Sequence, residues 1–153
     1  MNCAKKSWLL VRVLCLCFSL DVVCAQDGSW EESMAAGMQA FDEGRYAEAT
    51  RLFLVALKEA EKFGEQDPRF AASLNNLGLL YQAQGQYAQA EPLYERALAI
   101  AEKALGPEHP NVATSLENYA ALLHKFNRDA EADKMEARAQ AIRAKHAKEN
   151  PPK

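Results

Sequence analysis

The sequence predicts an all-α fold, a solenoid of about three stacked antiparallel helix pairs, on two observations. After residue 25 the sequence repeats itself with a period of about 42 residues, which is typical of helical repeat arrays. Within each copy, apolar residues recur at the three- and four-residue spacings of amphipathic helices. The chain has 153 residues, of which 49% are hydrophobic and 25% charged, and this suits one domain with its own core.

The repeat is defined by two sets of matching residues. A set displaced by 42 consists of Gly64, Pro68, Ser73, Leu74 and Asn76, matched by Gly106, Pro110, Ser115, Leu116 and Asn118. A set displaced by 41 consists of Tyr46, Ala49, Leu52, Phe53, Ala56 and Ala60, matched by Tyr87, Ala90, Leu93, Tyr94, Ala97 and Ala101. We therefore expect repeats at about 29–66, 67–108 and 109–147, inside a domain of residues 26–149 followed by a short tail, 150–153.

Each copy is predicted to hold two helices. Pro68 and Pro110 suit the first turn of a first helix, and Gly106 suits a helix C-terminus. Gly85 lets the chain turn into the second helix of its copy. Pro92 is a misfit, and we expect it within about the first turn of that second helix, where proline does not kink it.

The N-terminus is typical of a secretory signal. A short positive region at Lys5 and Lys6 precedes the mostly apolar run 8–20, and Val23 and Ala25 suit a cleavage site. We therefore expect a cleaved signal peptide, residues 1–25, and a mature protein that is exported to the periplasm or secreted. A retained membrane anchor is the alternative. All four cysteines lie before residue 25, so the mature chain would contain no thiol.

Composition and motifs exclude several classes of function. A formal charge of −3 and a pI near 5.7 give no basis for binding nucleic acid or an anionic membrane. The sequence has no glycine-rich phosphate loop and no nucleophile motif, and its three histidines have no metal-ligand spacing. We therefore predict a protein that is not an enzyme and has no cofactor and no metal site.

At this point the residues resemble a known family. The second copy matches the tetratricopeptide repeat at its proper spacings through Leu77, Gly78, Tyr81, Gly85, Tyr87, Ala90, Tyr94 and Ala97. The period of 42 is similar to the longer repeat of kinesin light chains, and the resemblance covers about residues 29–147. It implies a right-handed α-solenoid that binds proteins.

The outer copies depart from the family pattern. The first copy has Ser33 and Ala36 where leucines are expected. The third has Asp129, Glu136 and Gln140 in place of Tyr87, Tyr94 and Leu98. A polar outer helix is what the end of a solenoid requires, because no further repeat covers it. The third copy is therefore interpreted as a cap.

A helical wheel of the second copy separates two faces. Ala72, Asn75, Asn76, Leu79, Gln82 and Ala83 cluster opposite the packing face of Leu74, Leu77 and Tyr81. The resemblance implies that this side lines a concave groove, where Asn76 and, one repeat later, Asn118 would hold the backbone of an extended peptide. An amide can both donate and accept, so the chemistry is compatible. The alternative is that each asparagine bonds a neighbouring helix and fixes repeat packing.

The same wheel extends the predicted groove to the other copies. Its proposed ligand-binding residues are Met34, Met38, Asn75, Asn76, Leu79, Gln82, Glu117, Asn118, His124 and Lys125. The methionines could accept an apolar side chain or could equally be core. Family members that clamp a terminal carboxylate carry basic residues where this chain has Met34, Asn75, Thr114 and Glu117, so recognition of a C-terminal carboxylate is disfavoured.

The sequence therefore predicts a non-enzymatic adaptor or scaffold that grips a protein or peptide segment in this groove. The alternative is a structural component of an envelope assembly that associates with itself, so a homo-oligomer is possible. Nucleic acid is not an expected partner, nor is a membrane once the signal is removed.

Overall fold

The computed structural model describes residues 29–150, which form six α-helices and no strand. The helices are α1 Trp30–Asp42, α2 Tyr46–Glu61, α3 Pro68–Ala83, α4 Tyr87–Leu105, α5 Pro110–Lys125 and α6 Asp129–Glu149. No helix within this range is both long and apolar enough to cross a bilayer. The predicted signal peptide, residues 1–25, lies outside the described residues.

The first helices of the second and third repeats begin in the same way. Asp67 and His109 each accept a hydrogen bond from the backbone N–H two residues further on, at 2.9 and 3.1 Å. Pro68 and Pro110 follow as the first helical residues, where a missing N–H costs no helical hydrogen bond. The positions expected for both prolines are confirmed.

The turn inside each helix pair uses one left-handed residue at an equivalent position. Gly44 and Gly85 have φ of 74° and 75°, and Asn127 has φ of 57°. Glycine adopts this conformation freely, and asparagine is among the few other residues that tolerate it. The three pairs therefore close with the same geometry although the third lacks a glycine.

The helices stack in chain order. The pairs α1–α2, α3–α4 and α5–α6 pack most extensively, and α2–α3 and α4–α5 join neighbouring pairs. The first helices also contact one another, α1 with α3 and α3 with α5, whereas across residues 29–150 the second helices do not. The first helices are therefore closer together, and they form the inner, concave side of an α-solenoid.

The core is continuous across repeats. One cluster of buried residues draws on five helices and contains Ala60, Phe70, Ala71, Leu74, Ala97, Ile100, Ala101, Val112, Ala113, Leu116, Ala139 and Ile142. A smaller cluster lies between the first and second repeats, and another lies between the second and third repeats. Each pair therefore buries its apolar face against its neighbours, as stacked repeats do.

Two glycines allow close contact inside the first two pairs. A Cβ at Gly78 would lie 2.9 Å from Cε1 of Tyr94, and one at Gly37 would lie 2.5 Å from Cε1 of Phe53. Both rings are almost fully buried. The small residues of α1 and α3 therefore seat the aromatic ring that the second helix of the pair contributes.

Pro92 lies deeper in its helix than the sequence analysis expects. It is the sixth residue of α4, in the second turn, and the helix continues through it to Leu105. A proline there cannot donate to the carbonyl of Ala88. Ala88 and Pro92 are both exposed, so water can bond that carbonyl instead.

Candidate functional site

A cavity of about 220 Å³ opens on the concave side between the second and third repeats. It is lined by Pro68, Ala71, Ala72, Asn75, Asn76, Ala101, Leu105, Asn111, Thr114 and Ser115. The first halves of α3 and α5 form two of its walls, and the last turns of the antiparallel α4 form the third. The wall combines small apolar side chains with neutral amides and hydroxyls.

Asn75 is the buried polar side chain of this cavity that forms no hydrogen bond in the described chain. The residue is 8% exposed, and its Oδ1 is buried without a hydrogen-bond partner in the described chain. Most buried polar atoms are paired, and leaving one unpaired costs about 1–3 kcal/mol. Because the χ2 torsion of an amide is broad and roughly two-fold, rotation can turn either the oxygen or the NH2 group toward the cavity.

The other two predicted asparagines differ from each other. Asn76 lines the cavity, and its Nδ2 lies 4.0 Å from Sδ of Met34 on α1. Asn118 is half-buried and lies outside the cavity wall, and its side chain forms no hydrogen bond within residues 29–150. Of these two side chains, only that of Asn76 contacts a neighbouring helix through a polar group, and that contact is one weak hydrogen bond to sulfur.

A charged pair borders the cavity at Thr114. Arg143 of α6 donates from Nε and Nη2 to the two carboxylate oxygens of Glu117, at 2.5 Å each, and Nη2 also lies 3.2 Å from Oγ1 of Thr114. The hydrogen bond from Arg143 lowers the pKa of Glu117. The negative charge of the predicted groove residue Glu117 is thus balanced by the positive charge of Arg143.

Three further predicted groove residues make contacts with other helices of the repeat array. Gln82 accepts a hydrogen bond of 2.9 Å from the hydroxyl of the buried Tyr94. Met34 and Met38 pack against the cluster formed by Ala40, Ala49, Phe53, Leu77 and Leu80, which agrees with the core interpretation of the methionines. None of the three, and not the half-buried Leu79 either, lines the cavity.

The last two predicted groove residues lie at the far end of α5. The ring of His124 lies between two acidic side chains of α6, with Nδ1 2.7 Å from Asp129 and Nε2 3.2 Å from Glu136. The hydrogen bond with Asp129 raises the pKa of His124, and Glu136 acts in the same direction. Lys125 is exposed beside it.

Sequence reasoning missed the cavity residues of α4 and the first turns of α5. Ala101 and Leu105 belong to a second helix, whereas the groove was predicted from first helices alone. The predicted antiparallel pairing of the helices could have identified these residues, because it brings the end of α4 beside the starts of α3 and α5. Asn111 and Ser115 lie in those first turns, on either side of Thr114.

Comparison with known proteins gives a family and a fold. The family model described as tetratricopeptide repeat matches twice, over residues 30–103 and 69–145. No curated protein sequence matches. Proteins of this repeat family are generally non-enzymatic and serve as interaction adaptors or scaffolds.

Solved structures of similar fold cover most of this chain. BtubC (BKLC) from P. vanneervenii has a TM-score of 0.68 and 25% identity over 81% of this chain and 50% of its own. A Podosopora anserina protein assigned as a kinesin light chain with nearly identical TPR-like repeats has a TM-score of 0.68 and 27% identity over 76% of this chain and 56% of its own. A single-substitution form of the latter protein has a TM-score of 0.67 and 26% identity over 76% of this chain and 55% of its own.

This chain therefore spans about half the length of the solved structures that it matches. The predicted all-α solenoid and the resemblance to kinesin-light-chain repeats are both confirmed. With six helices packed in successive pairs across residues 29–150 and a family match that runs from residue 30 to 145, the chain belongs to the tetratricopeptide repeat family.

Proposed function

We propose that this protein is an exported, non-enzymatic adaptor that holds an extended segment of a partner protein along its concave side. The observation that carries the proposal is the cavity between α3 and α5, with the unpartnered amide of Asn75 in its wall. Export is supported by the signal pattern of residues 1–25.

The chemistry of the cavity favours a peptide over a small molecule. Its volume of about 220 Å³ is below the roughly 300–1,000 Å³ of clefts that hold drug-sized ligands, so it fits one side chain. Asn75 and Asn76 can pair with the N–H and C=O groups of an extended backbone. The one cation described at the rim, Arg143, is neutralised by Glu117, so an uncharged side chain fits better than a terminal carboxylate.

The test begins with a partner captured from the exported fraction of the producing cell. The intact mass of the recovered protein shows whether it starts at Gln26. Asn75→Ala should weaken partner binding by roughly 1–3 kcal/mol, because polar groups of the ligand lose their partner. The free energy of unfolding of the Asn75→Ala variant should fall less than its binding free energy, since Oδ1 of Asn75 makes no hydrogen bond in the free protein.

Gln89→Ala is the matched control, because it removes an exposed amide from the outer helix α4. Its affinity should equal that of the parent protein. A folded Asn75→Ala, Asn76→Ala double variant with unchanged affinity would show that the cavity does not hold the partner. Self-assembly in sedimentation, with no heterologous partner captured, would favour the structural alternative.

A further inference from the structure

A second cluster of chemically active side chains lies at the other end of α5 from the cavity. His124 of α5 faces Asp129, Asp133 and Glu136, which share one face of α6 at helical spacing. One potential ligand atom from each of His124, Asp133 and Glu136 lies within 4.8 Å of the other two. Sequence reasoning missed the cluster because it looked for metal-ligand spacing only between pairs of histidines, whereas this cluster combines one histidine with carboxylates of another helix.

The imidazole of His124 is oriented as a metal-binding histidine is. With its proton on Nδ1, the ring donates to Oδ1 of Asp129 at 2.7 Å. Nε2 lies 3.2 Å from Oε1 of Glu136, to which it donates when it carries a second proton. A carboxylate oxygen of Asp133 lies within 4.8 Å of the ligand atoms of His124 and Glu136. A bound metal ion would take the place of the proton on Nε2. A carboxylate behind the ring is the usual outer partner of a metal-bound histidine.

The equivalent place in the second repeat has the same geometry and different chemistry. Forty-two residues earlier, His124, Asp133 and Glu136 correspond to Gln82, Glu91 and Tyr94. There the hydroxyl of Tyr94 donates to Gln82 at 2.9 Å, so the fold joins these two positions in both repeats. Of these two repeats, only the third carries metal-ligating side chains at all three positions.

We propose that His124, Asp133 and Glu136 form a binding site for a divalent transition-metal ion, with Zn²⁺ the best match, and that Asp129 orients the imidazole. Imidazole suits zinc and its neighbours better than Mg²⁺ or Ca²⁺, and zinc takes mixed nitrogen and oxygen ligands. Bonds of roughly 2.0–2.2 Å require the ligand atoms to approach one another further. The partly exposed side chains have room for that movement.

Asp133 separates this proposal from the simpler interpretation of a polar cap. Within residues 29–150 its side chain forms no hydrogen bond or ion pair, so the hydrogen bonds of His124 with Asp129 and Glu136 do not depend on it. In a polar cap without metal, this exposed carboxylate would only be solvated, so its removal would change nothing else that the structure shows. Asp133→Asn should therefore affect metal binding and leave the metal-free fold as it was.

The experiment is zinc titration by calorimetry of the full chain, with a parallel measurement of Tm. Cys3, Cys15, Cys17 and Cys24 are replaced by serine in every sample, because thiolates bind zinc themselves. We expect one zinc ion per chain, a higher Tm with zinc, and no such effect of equimolar Mg²⁺. His124→Ala and Asp133→Asn should each raise the Kd for zinc at least tenfold.

His146→Ala is the matched control, since it removes an exposed histidine of α6 that lies outside the cluster. Its Kd for zinc should equal that of the parent. Failure of zinc to bind, or equal affinity of Asp133→Asn and the parent, would overturn the proposal. If His124→Ala does not fold, Asp133→Asn alone decides, because its metal-free Tm should be unchanged.

Discussion

Gly78 shows how one residue sets the distance between two helices. Its absent side chain leaves room for the ring of Tyr94, which is fully buried and whose Cε1 would lie 2.9 Å from an added Cβ. Alanine is a better helix former than glycine by about 1 kcal/mol. Overpacking a filled core costs about 1–3 kcal/mol, so the two effects oppose each other at this position.

We expect the clash to win, so Gly78→Ala should lower the free energy of unfolding measured in urea. The control is the same change in a Tyr94→Leu background, where the ring is gone. There Gly78→Ala should become neutral or stabilising, because only the gain in helix propensity remains. A stabilising effect of Gly78→Ala with Tyr94 present would contradict the tight contact.

Individual residues also show what the sequence could not reveal about the site. The wheel placed Leu74 and Leu77 on the packing face, and both are buried, because helical periodicity is a local property. It placed Asn75 on the opposite face, although that residue is buried too. It could not show that Gln82 bonds Tyr94 or that Glu117 bonds Arg143, since these partners come from other helices. The proximity of His124 to Asp133 and Glu136 has the same origin.

Among the elements, α6 depends most on charge. It buries only three residues, Ala132, Ala139 and Ile142, over 21 residues of helix. Ion pairs join it to the preceding elements through Arg138–Glu102, Arg143–Glu117 and Lys145–Glu108, and Arg128, the residue before the helix, pairs with Glu91. Such a helix has less apolar contact to lose than its neighbours, so we expect it to open before them.

The stability of α6 should therefore depend on pH. The hydrogen bond from Arg143 lowers the pKa of Glu117, and that from Lys145 lowers the pKa of Glu108, from an unperturbed value of 4.5. A carboxyl whose folded-state pKa is depressed stabilises the fold above its unfolded pKa. That contribution is lost as the pH falls through the lower folded-state value.

Hydrogen exchange checks this expectation. As the pH falls from about 4.5, the unperturbed value, through the lower folded-state pKa values of Glu108 and Glu117, the protection factors of α6 amides should fall relative to those of α3. In a Glu108→Gln, Glu117→Gln variant the α6 protection should be lower at neutral pH and should change less with pH. Equal responses of the parent and this variant would mean that these pairs do not hold α6 in place.

Helix boundaries illustrate the reach of sequence reasoning at this scale. The starts of α3 and α5 were predictable because Asp67–Pro68 and His109–Pro110 carry local capping chemistry. The position of Pro92 was predicted less well, because its cost depends on whether water reaches the carbonyl of Ala88. That exposure is a property of the stacked repeats and cannot be seen in one helix.

At the scale of the whole molecule, stability is shared between repeats. The largest core cluster contains residues of α2, α3, α4, α5 and α6, so no helix pair has a core of its own. Repeat arrays behave as chains of nearest-neighbour interfaces, and three repeats are close to the minimum for a stable array. The repeat period predicted this stacking, since a pair that cannot bury its apolar face alone requires neighbours.

Apart from this local opening of α6, the three repeats are therefore expected to unfold as one unit, and Leu116→Ala tests this. Leu116 is 1% exposed in the third repeat, and its truncation should cost about 2–5 kcal/mol. Trp30 reports on the first and second repeats, because its Nε1 donates to Oγ of Ser73 at 2.9 Å. In a chain with Trp8→Phe, Leu116→Ala should shift the Trp30 fluorescence transition and the helical circular dichroism transition by the same amount. An unmoved Trp30 transition beside a shifted dichroism transition would show that the third repeat unfolds independently.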